Sequence, residues 1–181
     1  LKGDASFLYK PAVALVGSRD LKPENEAFAR TAGREIAKQG FVLVSGNARG
    51  ADRVAQNACL EAGGSVICVV ADALSKQPDD SRILYMSEDC YDAAFTAQRA
   101  HSRNRVIHAL GLGVLVAQSS LHKGGTWHGT LHNLRNHYSQ VRIFDDGSEA
   151  AQQLQSSGGR LICQDDLANL NSLFCDDICL F

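Results

Sequence analysis

The sequence predicts an α/β fold: a Rossmann-like, doubly wound, mostly parallel sheet with helices on both faces. First, short runs are apolar at nearly every position, as in strands buried on both faces; they are residues 13–16, 41–44, 66–70, 114–117 and 141–144. Second, helical periodicity separates these runs, and strand–helix–strand repeats form right-handed βαβ units. Third, 181 residues with 45% hydrophobic content are enough for one domain with a substantial core.

The helices between these strands have recognisable ends and apolar faces. A helix that begins near Glu24 and ends before Gly40 carries Phe28, Ala32 and Ile36 on one face. The other predicted helices cover residues 51–62, 104–110, 126–137 and 148–155. Residues 71–94 are less regular and are predicted to form a long connection with one short strand at residues 83–86.

The chain is predicted to have two parts, a Rossmann-like core at residues 1–164 and a helical tail at residues 165–181. In the tail, one helical face carries Leu167, Leu170, Phe174 and Ile178. We expect this face to pack on the chain's own core. A contact with a second copy is the alternative.

The cysteines favour a reduced, cytoplasmic protein. Cys59 and Cys68 lie in apolar patterns, where a thiol behaves as a small hydrophobic group, and Cys175 and Cys179 are too sparse for a zinc site. No apolar run approaches 18 residues, so no membrane span is expected. No signal peptide is visible, and the start at Leu1 is consistent with a piece of a longer protein.

Basic residues are segregated along the chain, although the net charge is only −2. No carboxylate occurs between Asp92 and Asp145, a stretch that contains all six histidines. Its other basic residues are Arg99, Arg103, Arg105, Lys123, Arg135 and Arg142. A local field of one sign attracts anions even when the whole molecule is acidic. The alternative is that these side chains pair with carboxylates from other parts of the fold.

Polar turns follow several of the predicted strands, at the rim where sheets of this kind bind ligands. We expect these turns and a basic helix segment to form a nucleic-acid or phosphate-binding site. Its candidate residues are Gly17, Ser18, Arg19, Ser45, Gly46, Asn47, Arg49, Gly50, Arg103, Asn104, Arg105, Lys123, Gly124, Gly125 and Thr126. The turn at Ser87 and Glu88 lies at the same rim.

The chemistry of these turns suits an anion. A strand that ends in Ser or Gly and leads into a helix leaves N–H groups unpaired at the positive end of the helix dipole. The planar guanidinium of Arg19 suits phosphate, unless it pairs with Asp20. Gly46 permits a close backbone approach, or is only a tight-turn residue. Neither GxGxxG nor GxxxxGK[ST] is present, so an ordinary dinucleotide or P-loop site is not supported.

Residues 102–105 are predicted to begin a helix. Arg103 and Arg105 cannot share one helix face, so one is expected to face the pocket while the other pairs structurally. Asn104 can cap that helix. Trp127 is the best candidate for stacking on a base, although a lone Trp more often packs in a core. No metal is predicted at His128 and His132, because no third ligand lies near them in sequence.

The order of these motifs resembles the DprA/Smf family of DNA-processing proteins. The matching motifs are Gly3-Asp4, VGSR at residues 16–19, SGNARGAD at 45–52, Ser-Glu at 87–88, RNRVI at 103–107 and a glycine-rich turn at 123–130. The resemblance extends over about residues 2–145, most of the chain. Gln118 stands where the family usually has Glu, and residues 123–125 and 144–147 differ from the family's Ser-Gly-Ser and Pro-Gly turns.

The resemblance implies a function as well as a fold. Family members bind single-stranded DNA, usually as homodimers, and help load a strand-exchange recombinase onto incoming DNA during natural transformation. No cofactor and no catalytic activity are generally assigned to them. The terminal helical domains that flank the core in many members are absent from this sequence.

A second interpretation is a nucleotide-binding or nucleotide-hydrolysing protein of the same superfamily. Residues 124–130 resemble the PGGxGTxxE turn of LOG-type phosphoribohydrolases, which cleave a glycosidic bond with the help of Glu. That Glu position is not filled here, and Glu88 is the carboxylate we would place near the pocket. A third interpretation is a nucleotide-sensing domain of a larger protein.

Overall fold

The computed structural model describes residues 1–175 and contains a seven-stranded sheet whose strands all run parallel. The strands are β1 (Ala12–Val16), β2 (Val42–Ser45), β3 (Val66–Val69), β4 (Ile83–Met86), β5 (Gly113–Val116), β6 (Gln140–Phe144) and β7 (Arg160–Ile162). The helices are α1 (Pro23–Lys38), α2 (Ala51–Glu61), α3 (Ala97–Leu110), α4 (Gly124–Asn136), α5 (Glu149–Ser156) and α6 (Leu170–Cys175). Short 3-10 helices cover Ala5–Tyr9, Leu74–Lys76 and Asp165–Ala168.

The strand order is β4-β3-β2-β1-β5-β6-β7, which confirms the predicted doubly wound fold. Strands β2, β3 and β4 are added in turn on one side of β1. The chain then returns through α3, and β5, β6 and β7 are added in turn on the other side of β1. The order therefore reverses between β1 and β5, which pair through Ala14–Val114 and Val16–Val116. In such sheets this reversal opens a crevice at the carboxyl ends of the two strands.

The sheet separates two hydrophobic cores. One core lies under α1 and α2 and includes Phe28, whose ring stacks on Phe144 at 4.4 Å between centroids. The other lies under α3, α4 and α5 and includes Ile107 and Leu154. Because right-handed crossovers place helices on opposite faces when the direction of building reverses, both faces of the strands are covered. This explains why the strands are apolar at nearly every position.

Two elements differ from the sequence predictions. α3 begins at Ala97, and Thr96 caps it by accepting the N–H of Arg99 at 3.1 Å. The predicted start at residue 104 is wrong, because the first turns of α3 are polar and exposed and show no apolar periodicity. β7 was not predicted, since it has only three residues and its first, Arg160, is exposed.

The region after β7 packs against the core under α1. Leu167 and Leu170 are fully buried there, and Phe174 is nearly so. Ile178 and Cys179, which the sequence assigned to the same tail, lie outside the described residues. Among the described side chains, Cys59, Cys68, Cys90 and Cys163 are free thiols. None of the helices within residues 1–175 has the length and apolar character needed to cross a bilayer.

Candidate phosphate-binding site

A pocket of about 470 Å³ lies at the carboxyl rim, where the strand order reverses between β1 and β5. We call it the switch-point pocket. Its walls are the turn after β1, the middle of α3 and the first turn of α4. The predicted site residues that line it are Gly17, Ser18, Arg19, Arg103, Asn104, Lys123, Gly124, Gly125 and Thr126.

A second depression of about 590 Å³, the loop pocket, adjoins the first along the same rim. It contains the predicted residues Gly46, Asn47 and Arg49, which follow β2. The two pockets share four residues, namely Arg19, Ala48, Ala100 and Arg103. The turns after β1 and β2 and the helix α3 therefore surround one continuous concave surface.

The other three predicted residues lie outside both pockets. Ser45 is fully buried, and its hydroxyl accepts a hydrogen bond from the amide of Gln56. Gly50 precedes α2 with φ of +86°, where a Cβ would collide with the carbonyl of Ser18. Arg105 is exposed and lies 3.7 Å from Glu88. Ser45 is thus bonded within the core, Gly50 allows the tight entry into α2, and Arg105 lies on the outer face of α3.

Arg103 is the central cation of the site. Its side chain is 8% exposed and borders both pockets and a third, smaller depression beside Glu88. Within residues 1–175 its guanidinium makes no hydrogen bond or ion pair, and its buried Nε has no partner. Burial lowers the pKa of Arg103, an effect that the nearby charge of Asp52 opposes. A buried guanidinium whose donors are unused is a strong attractor for an anionic ligand.

Gly46 is required next to this cation. A Cβ at Gly46 would collide with the guanidinium of Arg103, so any larger residue would displace the cation or the loop. The sequence singled out Gly46 for its close approach to a ligand. In the structure its closest neighbour is an arginine side chain of α3.

Asp52 places a carboxyl group at the switch-point pocket, next to the loop after β2. Its Oδ2 accepts the N–H of Gly46 at 3.1 Å and the N–H of Ala48 at 3.2 Å. Burial raises the pKa of this carboxyl, while Arg103, the two N–H groups and Arg19 oppose that rise. The loop after β2 therefore has these two donors occupied by a carboxylate of its own chain.

The N–H donors in the first turn of α4 have fewer acceptors than those of the loop after β2. Lys123 precedes it with an extended backbone, and no side chain of residues 1–175 caps the helix. The hydroxyl of Thr126 donates to the carbonyl of Gly17 at 2.9 Å, which ties α4 to the turn after β1. The amide of Asn104 donates to the carbonyl of Gly125 at 3.3 Å, so Asn104 joins α3 to α4 and is not the helix cap predicted from sequence.

The basic segment after Asp92 divides into paired and unpaired cations. Arg99 lies 3.2 Å from Asp89 and also donates to Ser87 at 3.0 Å, and Arg105 faces Glu88. Across residues 1–175, Lys123 forms no ion pair or side-chain hydrogen bond, and the same holds for the exposed Arg19 of the turn after β1. The alternative considered for Arg19, a pairing with Asp20, does not occur; Asp20 pairs with Arg49 at 2.7 Å.

The structure places Trp127 in the core, the more common position of a lone Trp, and exposes Phe95 at a pocket. Trp127 is 3% exposed and meets His122 edge-to-face, so it packs in the core and offers no stacking surface. Phe95 is 55% exposed and lines the loop pocket. Phe95 is one of the aromatic residues in or near the basic half of the sequence, but the sequence favours Trp127 because it adjoins the glycine-rich turn, whereas Phe95 lies in an irregular segment before α3. Its position close before the RNR motif was the available signal.

His132 takes part in a local contact at the far end of α4. Its ring nitrogen lies 2.9 Å from the hydroxyl of Tyr138. Within residues 1–175 the structure contains no cluster of three or more His, Cys, Asp or Glu side chains suited to a metal ion.

Comparison with known proteins identifies relatives of this fold. A family model described as DNA recombination-mediator protein A matches residues 1–172. Protein Smf of Escherichia coli is 31% identical over 135 residues, which cover 68% of this chain and 36% of that protein. DNA processing protein DprA of Streptococcus pneumoniae is 29% identical over 184 residues, covering 92% of this chain and 64% of that protein. The chain thus spans only part of each of these relatives.

A solved structure shares the fold over almost the whole chain. DNA processing protein A from Helicobacter pylori, described with a single-stranded DNA binding mode, has a TM-score of 0.81 and 25% identity. The match covers 97% of this chain and 86% of the other.

Proposed function

Because the chain belongs to the DNA recombination-mediator protein A family, also called DprA/Smf, we propose that it binds single-stranded DNA along the carboxyl rim of its sheet. The observation that carries this proposal is Arg103, a buried cation with unused donors that borders both rim pockets. The sequence-independent part of strand binding comes from phosphate contacts, so unpaired cations on a continuous surface are the expected feature.

In this proposal the strand follows the joined pockets. Arg19 and Arg103 contact successive phosphates from opposite walls, and Lys123 extends the basic surface towards α4. The exposed ring of Phe95 gives one base a stacking surface in the loop pocket. The carboxylates on these walls have partners in the chain itself: Asp20 pairs with Arg49, Asp72 pairs with Lys76, and Asp52 accepts two N–H groups of the loop. Their repulsion of a strand is therefore reduced.

The wider cellular role belongs to the same proposal. From its membership of this family, we propose that the protein acts in DNA uptake and transformation. In this role it would bind a strand-exchange recombinase and function as a homodimer. A reducing, cytoplasmic location fits the free thiols of the described residues. A pull-down of the recombinase in the presence and absence of DNA, together with sedimentation analysis, tests the partner and the dimer.

Salt-dependent binding tests the central proposal. Affinity for unmodified strands of about 4 to 16 nucleotides should rise with length and fall steeply with salt. Arg19→Ala should weaken binding about tenfold, the equivalent of about 1.4 kcal/mol. Arg135→Ala is the matched control, because Arg135 is exposed at the opposite end of α4. Binding that ignores strand length and salt would contradict the proposal.

A nucleotide hydrolase is the second candidate, since the switch-point pocket has a glycine-rich helix start at Gly124 and Gly125. The carboxylate suggested for that role, Glu88, borders the third depression and faces Arg105. Asp52 lines the switch-point pocket, but its Oδ2 is engaged by the loop. Release of free base from nucleoside monophosphates would support a hydrolase, and no release after prolonged incubation would eliminate it.

A further inference from the structure

The first turn of α4 presents hydrogen-bond donors to the switch-point pocket. The first N–H groups of a helix have no partner within the helix, and here no side chain in the described part of the chain, residues 1–175, caps them. Gly124 and Gly125 carry no side chains, so their N–H groups can be approached closely. The positive end of the dipole of this 13-residue helix adds to the attraction for an anion.

A second and independent donor lies on the opposite wall. Arg103 reaches the same pocket from α3, more than nine-tenths buried, with a buried Nε that has no partner within residues 1–175. A buried guanidinium without an acceptor is costly, so its retention here indicates an acceptor that arrives with a ligand. Helix start and guanidinium thus converge on one ligand.

The charge and the donors of the pocket favour one class of phosphate. The buried residues Ile107 and His108 line it, and the pocket volume of about 470 Å³ is in the usual range for a small-molecule site. A phosphodiester within a strand exposes two non-bridging oxygens and carries one negative charge. A phosphomonoester exposes three terminal oxygens and carries about −1.5 to −2 charges at neutral pH. The second suits a pocket lined by Arg19, Arg103, Lys123 and the start of α4.

We propose that the switch-point pocket binds a phosphomonoester, either the terminal phosphate of a DNA strand or the phosphate of a free nucleoside monophosphate. The version in which the ligand is the end of a DNA strand rests on the proposed function, whereas the version in which it is a free nucleotide does not. Lys123 and Arg19 supply charge from the two sides of the mouth, and Arg103 and the N–H groups of α4 bind the phosphate oxygens.

Matched ligands test the preference for a monoester. Thymidine 5′-monophosphate and its methyl phosphodiester differ by one ester group, and thymidine carries no phosphate. Calorimetric titration should give about tenfold tighter binding of the monophosphate than of the methyl diester, and no measurable binding of thymidine. Equal affinities for the monophosphate and the methyl diester would overturn the proposal.

A variant pair locates the site. Lys123→Ala removes an exposed, unpaired cation at the start of α4, and Arg135→Ala removes one near its other end, about 20 Å away at 1.5 Å per residue. Lys123→Ala should weaken monophosphate binding about fivefold, and Arg135→Ala should leave it unchanged. If both variants weaken it equally, the binding reflects general charge and the pocket assignment fails.

Strands with different ends separate the two ligand sources. A strand with a 5′- or 3′-phosphate that binds about tenfold tighter than its hydroxyl-ended counterpart identifies the strand end as ligand. Monophosphate binding without a preference between strands identifies the free nucleotide. Strong, salt-sensitive binding of hydroxyl-ended strands with no monoester preference would overturn this inference and leave the proposed function intact. Monophosphate binding without any strand binding would support this inference in its free-nucleotide form and overturn the proposed function.

Discussion

The loop between β2 and α2 and the turn between β5 and α4 have similar sequences but different surroundings. Both contain glycine, a basic residue and the start of a helix at the same rim of the sheet. In the first, Asp52 accepts the N–H groups of Gly46 and Ala48, and the N–H of Ala51 donates to the carbonyl of Ser18 at 3.1 Å. Within residues 1–175 neither helix has a side-chain cap, but in the second turn the N–H groups of Gly124 and Gly125 have no acceptor.

The difference shows that a turn whose sequence resembles a phosphate-binding loop does not necessarily bind phosphate. In the β2–α2 loop, the chain's own carboxylate takes the place that a ligand oxygen would occupy, and the loop is stabilised without a ligand. In the β5–α4 turn, the donors face a pocket that Arg103 also lines, and among residues 1–175 the guanidinium of Arg103 has no hydrogen-bond partner. We therefore assign a mainly structural role to the first and a binding role to the second.

The largest expected effect separates these roles by stability. Asp52→Ala should lower the free energy of unfolding by about 3 kcal/mol, because two N–H groups lose their acceptor and Arg103 loses its nearby negative charge. Lys123→Ala should change it by less than about 0.5 kcal/mol. Denaturant titration of both variants measures the two values. Equal losses would show that the two turns do not differ in this way.

The next effect concerns binding. Arg103→Met keeps most of the buried volume but removes the charge and donors shared by both pockets. Affinity for single-stranded DNA should fall about 30-fold, the equivalent of about 2 kcal/mol for a charged hydrogen-bonding group. Fluorescence anisotropy with a labelled strand measures this change, and circular dichroism checks that the variant is folded. Retained affinity in a folded variant would remove the main support for the rim site.

A smaller effect appears in the pH dependence of stability. Because burial raises the pKa of Asp52 above its usual 3.8, the folded state binds more protons than the unfolded state in the window between the two values. The stability contribution of this carboxyl therefore decreases as pH rises from 3.8 through the raised pKa. Asp52→Asn does not titrate, so this contribution is absent from the variant. In the wild type the N–H groups of Gly46 and Ala48 both donate to the same oxygen, Oδ2 of Asp52. The single amide oxygen of Asn can therefore still accept both.

The measurement is the difference in unfolding free energy, wild type minus Asp52→Asn, at several pH values. This difference should become smaller as pH rises through the window. A difference that grows with pH would mean that Arg103 and the N–H groups outweigh burial and hold the pKa of Asp52 below its usual value.

The smallest expected effect is at Arg105. Arg105→Met is the matched counterpart of Arg103→Met, two residues away on the same helix. Because Arg105 is exposed, faces Glu88 and lies outside the rim pockets, its replacement should change strand affinity less than twofold. The same anisotropy assay measures both variants. A loss as large as that at Arg103 would extend the binding surface to the outer face of α3.

The sequence by itself determined the layered sheet, its buried strands and the rim on which the polar turns lie. These follow from local periodicity, because a strand apolar on both faces must be covered on both, and βαβ units have one hand. It also indicated that Arg103 and Arg105 face different ways, since residues two apart on a helix cannot share a face.

Only the tertiary structure decided which donors at the rim are free. That outcome depends on partners far apart in the chain, such as Ala51 with the carbonyl of Ser18 and Asn104 with the carbonyl of Gly125. It likewise decided that Trp127 is buried while Phe95 is exposed at a pocket. A motif specifies which groups a turn carries, but the packing of distant segments determines whether those groups are already bonded or available to a ligand.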